Sequence, residues 1–178
     1  MKQLLIISLF LFGSLNLQAA DVDLSKSSFK WTGSKKIGGS YHTGPIKMKS
    51  AKVDEEEGTG QFVADMKSID ESEMKGEMKA KFLGHIKSAD FFNVEKFPTA
   101  TLKIEKLDWG YMYGKLTVLG KTNDVVVPFK KDGKTITGEM AFDRTKYGIK
   151  YGSGSFFKSL GDKIIRDTIK LEFKVVLK

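Results

Sequence analysis

Apolar and polar residues alternate along most of the chain, and the last segment shows the pattern best: Ile169, Leu171, Phe173, Val175 and Leu177 interleave with Lys170, Glu172 and Lys174. A period of two is that of a strand with one buried and one wetted face. The same reading predicts strands over residues 28–32, 44–49, 60–69, 100–107, 112–119, 125–131 and 135–143, which with the last segment makes eight. Turn signals separate them: Glu57-Gly58-Thr59-Gly60, Trp109-Gly110, Gly120-Lys121-Thr122-Asn123 and the hairpin dipeptide Asp132-Gly133. Connections this short pair neighbouring strands antiparallel, and an eight-stranded antiparallel sheet loses its exposed edges by closing on itself. The predicted fold class is therefore all-β, an eight-stranded antiparallel barrel with short helical segments.

Two segments break the alternation. Between Ser72 and Ser88, Met74, Met78, Phe82 and Ile86 recur at helical spacing; between Gly154 and Asp162, around Phe156, Phe157 and Leu160, the chain reads as a short helix or compact loop. No linker or repeat divides the chain, so one domain is expected. Ahead of it, Lys2 precedes the uncharged apolar run Leu4 to Phe12, too short to span a bilayer, and Gln18-Ala19-Ala20 offers small residues for cleavage. Residues 1–20 are thus expected to be a signal peptide cut after Ala19 or Ala20, leaving residues 21–178 as a domain exported to the periplasm.

The net charge of +8 at pH 7 is almost wholly lysine, since only Arg144 and Arg166 are arginines. The lysines stand singly between apolar residues, which suits a solvated basic face and transient attraction to anionic membrane surfaces rather than nucleic-acid recognition. Absence of cysteine rules out thiolate metal sites, cysteine nucleophiles and a lipid-modified N-terminus. His42 and His85 lack metal-ligand spacing, and no phosphate-binding loop or nucleophile elbow is present. The acidic run Asp54 to Glu57 reads as a solvated loop. No cofactor, no metal and no enzymatic activity are expected.

A barrel of eight strands is either filled by its own side chains or holds one small ligand. Phe82, Phe91, Phe92, Phe97, Phe156 and Phe157 gather near predicted strand ends, where they line a mouth or plug it as core. His85, Lys87 and Asp90 fall within six residues beside two phenylalanines, an arrangement that fixes a ligand's polar head or clamps a loop. Arg144, at a strand end, pairs with a carboxylate or meets an anionic head group. Tyr147 and Tyr151 are expected to cap the barrel end with their ring faces and leave their hydroxyls wet.

Two stretches go further. His85-Ile86-Lys87-Ser88-Ala89-Asp90-Phe91-Phe92 runs through Glu95-Lys96-Phe97-Pro98-Thr99-Ala100 into a strand, and Gly114-Lys115-Leu116-Thr117-Val118-Leu119-Gly120-Lys121-Thr122 leads on to Asp143-Arg144-Thr145-Lys146-Tyr147-Gly148-Ile149. With Ser28-Phe29-Lys30-Trp31-Thr32-Gly33 before them and Leu160-Gly161-Asp162-Lys163 after, they resemble the YceI-like family of secreted bacterial proteins. The resemblance implies a lipocalin-like barrel that holds an isoprenoid lipid, a polyprenyl chain or an isoprenoid quinone, without chemistry. The residues it puts forward as ligand contacts are Trp31, Phe82, His85, Lys87, Asp90, Phe91, Phe92, Phe129, Phe142, Arg144, Tyr147 and Phe157. Two other readings stay open: a filled-barrel stress or interaction protein of the envelope, and a lipid-modifying enzyme with His85 and Asp90 as acid and base. Barrel edges and exposed aromatics would serve a homodimer, for which the sequence carries no dedicated interface pattern.

Overall fold

The computed structural model describes residues 20–178, so the expected signal segment, apart from Ala20, lies outside the described residues. The strands are β1 (Ala20–Asp21), β2 (Ser28–Ser34), β3 (Tyr41–Pro45), β4 (Met48–Asp54), β5 (Thr59–Asp65), β6 (Thr99–Asp108), β7 (Tyr111–Val118), β8 (Lys121–Asp132), β9 (Thr135–Asp143) and β10 (Thr168–Val176). They form one antiparallel sheet in the order β1-β4-β5-β6-β7-β8-β9-β10-β2-β3, curled into a half-barrel. One helix of the α type, α1 (Gly76–Lys87), lies between β5 and β6, as the helical spacing predicted, but starts after Met74 and leaves Met78 exposed.

The described residues therefore hold nine strands of five or more residues and the two-residue β1, not eight. The predicted strand over 44–49 is in fact a junction. Pro45 has no N–H to give a ladder, and there the chain turns from one partner to another. β3 pairs with β2, and the Ile46 N–H still donates to the Phe29 carbonyl; Asp65 N–H then donates to the Lys47 carbonyl, and β4 pairs with β5. At the other end of this path, Val22 bridges Leu177 while Ala20 and Asp21 pair with Val53 and Lys52, tying β4 to the tail of β10.

The outer edge of β3 is covered by the segment after β5. Asp70 N–H donates to the Pro45 carbonyl at 3.1 Å, and Ser72 N–H to the Thr43 carbonyl at 2.9 Å. This approach needs glycine at position 44, where a Cβ would stand 2.0 Å from the Asp70 carbonyl oxygen and 2.8 Å from Glu71 Cα. The tight hairpins form where the turn signals stood, with Trp109 at φ 44° and Gly110 at φ 85° between β6 and β7, and Gly133 at φ 53° between β8 and β9. The third turn sits ahead of its signal: Leu119 and Gly120 make it, and Lys121 already belongs to β8.

The inward faces supply the core, including Phe29, Val53, Phe62, Ile104, Met112, Leu116, Val127, Ile136, Met140, Ile169 and Val175, all buried. Substituting Gly44 by alanine should cost about 1–3 kcal/mol, the usual range for forcing atoms into closely packed surroundings. Gly33→Ala is the control, its methyl landing 3.7 Å from the Trp31 ring in ordinary contact. Urea denaturation of both variants should show the first well below, and the second close to, the parent midpoint.

Candidate functional site

The inward side chains do not fill the space the sheet encloses. Between the two faces lies a chamber in which the centre of a water-sized sphere can visit about 110 Å³, roughly eight times what one water requires. Its wall is apolar except at Lys170, with Phe29, Phe62, Leu102, Leu171 and Phe173 among the larger side chains. Two small residues keep it open: Ala64 of β5 and Ala100 of β6 face each other in register, and both line it. Four methionines, Met48, Met66, Met112 and Met140, also line it, and their unbranched thioethers let the wall change shape around different occupants.

A second space of about 100 Å³ continues toward the β4–β5, β6–β7 and β8–β9 turns. Phe62, Met112 and Val175 line both chambers, so these three side chains form the partition. Leu107 and Phe129 line the lower chamber, and its rim carries the Lys131–Glu55 ion pair.

At the opposite end, where β2, β9 and β10 leave the chamber, Trp31, Lys79 and Arg144 give their hydrogen bonds to the protein itself. The Trp31 indole N–H donates to the Asp70 carbonyl at 2.8 Å, and its ring stacks on Phe82 at 6.4 Å, with the His42 ring 4.2 Å from Phe82. Lys79 reaches the Asp70 carboxylate at 2.8 Å; that hydrogen bond, followed by the Glu71 N–H, holds the Asp70 carboxyl below its ordinary value. Glu71 is buried, one carboxylate oxygen accepting from the N–H groups of Glu73 and Met74. The other receives no hydrogen bond and lies 3.7 Å from His42 Nδ1.

The proposed contact residues separate into groups. Trp31, Phe92 and Phe142 line the upper chamber, and Phe129 the lower one. Phe82 backs Trp31 from outside the chamber. Phe91 is buried, but against the Arg144 guanidinium, 5.5 Å from its ring centre. His85 lies on Tyr151 at 4.4 Å with Nε2 buried and unbonded, Lys87 Nζ donates to the Lys67 carbonyl at 2.8 Å, and Asp90 is exposed. Of this trio, Lys87 ties the end of α1 to the segment after β5. Phe157 is half-exposed on the surface.

Arg144 takes the carboxylate alternative, with backbone carbonyls added. Fully buried, it donates from Nη1 to Ile149 O at 2.9 Å, from Nε to Arg166 O at 3.1 Å, and from Nη2 to Ile165 O at 3.3 Å and Asp167 Oδ1 at 3.4 Å. Burial pushes its guanidinium below the ordinary value, opposed by the charges of Asp167 and Asp143. Tyr147 does not leave its hydroxyl wet: it is buried edge-on to Phe142 at 5.5 Å, and desolvation raises its hydroxyl above the ordinary value. Tyr151 is exposed as expected. The methionines and the facing alanines were missed, although the strand alternation that places them inward was readable.

The sequence model of the YceI-like domain matches residues 20–177. Among solved structures, the chain is similar to Burkholderia cenocepacia BcnA, at 22% identity and a TM-score of 0.62 over 89% of this chain and 100% of that one. It is also similar to a polyisoprenoid binding domain from Saccharophagus degradans implicated in plant cell wall breakdown, at 15% identity and a TM-score of 0.64 over 90% and 99%. A Campylobacter jejuni YCEI protein shares 15% identity with a TM-score of 0.54 over 100% and 99%. At such identities the likeness establishes the fold. No curated protein matches the chain.

Replacing Arg144 by methionine would leave the Asp167 carboxylate and three carbonyls without their donor, and should cost about 3–5 kcal/mol. Lysine should not restore the loss, because one ammonium cannot reproduce a planar fork that reaches four acceptors. Urea denaturation reads both, and near-parent stability of the lysine variant would overturn the clamp.

Proposed function

The chain belongs to the YceI-like domain family, and from that membership we propose that it is a non-enzymatic binding protein whose chamber holds the apolar chain of an isoprenoid lipid. The observation that carries this reading is the unfilled apolar chamber behind Trp31 and Phe142. A polyisoprenoid binding domain of the same fold in another organism supports it. On this reading the protein is a lipocalin-like barrel that carries or sequesters its cargo in the periplasm.

The wall dictates which part of the lipid enters. With almost no polar atom facing inward, a head group inside would lose its water and gain nothing, a cost of several kcal/mol. The head therefore stays outside the chamber and the chain goes in. A second chamber beyond the Phe62–Met112–Val175 partition gives a longer chain somewhere to extend once Met112 rotates. Burial is worth about 0.8 kcal/mol per methylene, so five isoprene units would nominally gain on the order of 20 kcal/mol relative to water. Release into water would be extremely slow. Exchange with a bilayer, where the same carbons are also out of water, is close to neutral, so delivery requires membrane contact.

Native mass spectrometry of protein purified from its own cells, followed by solvent extraction, should yield a stoichiometric polyprenyl compound. Ala100→Phe, which puts a ring where the chamber is held open, should abolish that yield while leaving the melting temperature unchanged or higher. Protein that comes out empty and takes up no polyprenyl lipid from vesicles would point instead to a filled-barrel interaction protein.

A further inference from the structure

The two ends of the half-barrel carry opposite charge. At the lower end, four acids in a row run from Asp54 at the end of β4 through Glu57, and Asp108 and Asp132 stand at the neighbouring turns; Lys106 on Asp108, Lys131 on Glu55 and Lys134 offset three of these six charges. At the upper end, two connections form one rim. Lys36 N–H donates to the Ile164 carbonyl and Arg166 N–H to the Ser34 carbonyl, both at 2.8 Å, and Lys35 bridges Ile165. Segments 34–40 and 148–167 together contain Lys35, Lys36, Lys150, Lys158, Lys163 and Arg166 against two acids, Asp162 and Asp167. Asp167 is taken up by Arg144 and by the Ser155 hydroxyl at 2.6 Å.

The same rim exposes its largest apolar side chains: Ile37 is 55% exposed, Phe156 48% and Phe157 49%, with Lys150 Nζ 4.6 Å from the Phe156 ring centre. A cleft of about 240 Å³ between the two segments is lined by Lys36, Ser155, Arg166 and Thr168, alongside Asp167. Basic side chains among projecting phenylalanines are what an anionic lipid surface selects, with rings entering the acyl boundary and cations meeting phosphates. Trp109, 96% exposed, also resembles a membrane anchor, but its turn shares an end with the acidic run, which anionic lipid repels.

We propose that the rim of residues 34–40 and 148–167 docks the protein on an anionic bilayer, setting the end of the upper chamber nearest the rim toward the membrane and the acidic turns toward water. This deepens the proposed function and rests on it for its purpose, since β2, β9 and β10, which carry the chamber-lining Trp31, Phe142 and Ile169, run directly into the rim.

Flotation with phosphatidylcholine vesicles, with and without phosphatidylglycerol, tests it on purified protein. Binding should require phosphatidylglycerol and weaken with salt. The double variants Phe156→Ser/Phe157→Ser and Lys150→Glu/Lys158→Glu should each lower it about ten-fold or more, and Trp109→Ser should leave it unchanged. All these side chains are exposed, so the variants should keep the parent melting temperature. Uptake of a polyprenyl alcohol from detergent, where no bilayer is needed, should be the same in every variant. Vesicle binding that is absent, indifferent to the rim substitutions or lost with Trp109→Ser overturns the docking proposal, and absence would leave the basic rim to an acidic protein partner. Parent protein that floats but takes up nothing from detergent keeps the docking and overturns the cargo.

Discussion

Everything in this molecule depends on how the chain between Tyr41 and Asp54 shares its hydrogen bonds. A sheet that curls through nine strands must bring its first and last strands near each other, and their unpaired N–H and C=O groups must then find partners. Here one stretch serves both sides. Before Pro45 it completes the ladder of β2, and after Lys47 it begins the ladder of β5. The backbone from Asp70 to Ser72 covers what remains of the β3 edge, over a glycine that leaves it room. Curvature is therefore fixed by main-chain geometry and not by what lies inside, which is why a chamber can persist between walls that never meet.

The upper end uses a different device for the same problem. The long connection from β9 to β10 would be a loose loop if its carbonyls were left to water. Instead Arg144 places its whole guanidinium in the interior and holds residues 149 and 165–167 around it, with the Phe91 ring centre 5.5 Å from it. A buried charge is costly alone, but this one is met by four acceptors, and its loss of solvation is set against fixed dipoles. The clamp holds the loop's inner side still and so presents Phe156 and Phe157 outward from a defined base.

Much of this could be read from the sequence where the determinants are local. Alternation located β6, β7, β9 and β10 to within a residue or two, and Trp109-Gly110 and Asp132-Gly133 marked their turns, because side-chain direction and turn dihedrals are properties of a few adjacent residues. β4 was lost beyond Lys49: its inward positions include small Ala51, and a bulge between Met48 and Ser50 shifts the period. In the site, Trp31, Phe92 and Phe142 stood out as aromatics, whereas Ala64 and Ala100 act by being small, which only their register across β5 and β6 reveals. Nor does position 144 announce burial, since its acceptors arrive from up to 23 residues away.

The separation of charge between the two ends bears on how the proposed cargo would be released. An apolar chain in an apolar chamber has no gradient of its own directing it to one opening or the other. Orientation at a surface must come from outside the chamber, and long-range electrostatics is the means that acts before contact. Four consecutive acids at one end and a lysine-rich rim at the other make the molecule a dipole along the long direction of its strands. Near an anionic surface that dipole turns the rim toward the surface first, and within about 8 Å, the screening distance at physiological salt, the lysines begin to hold it there.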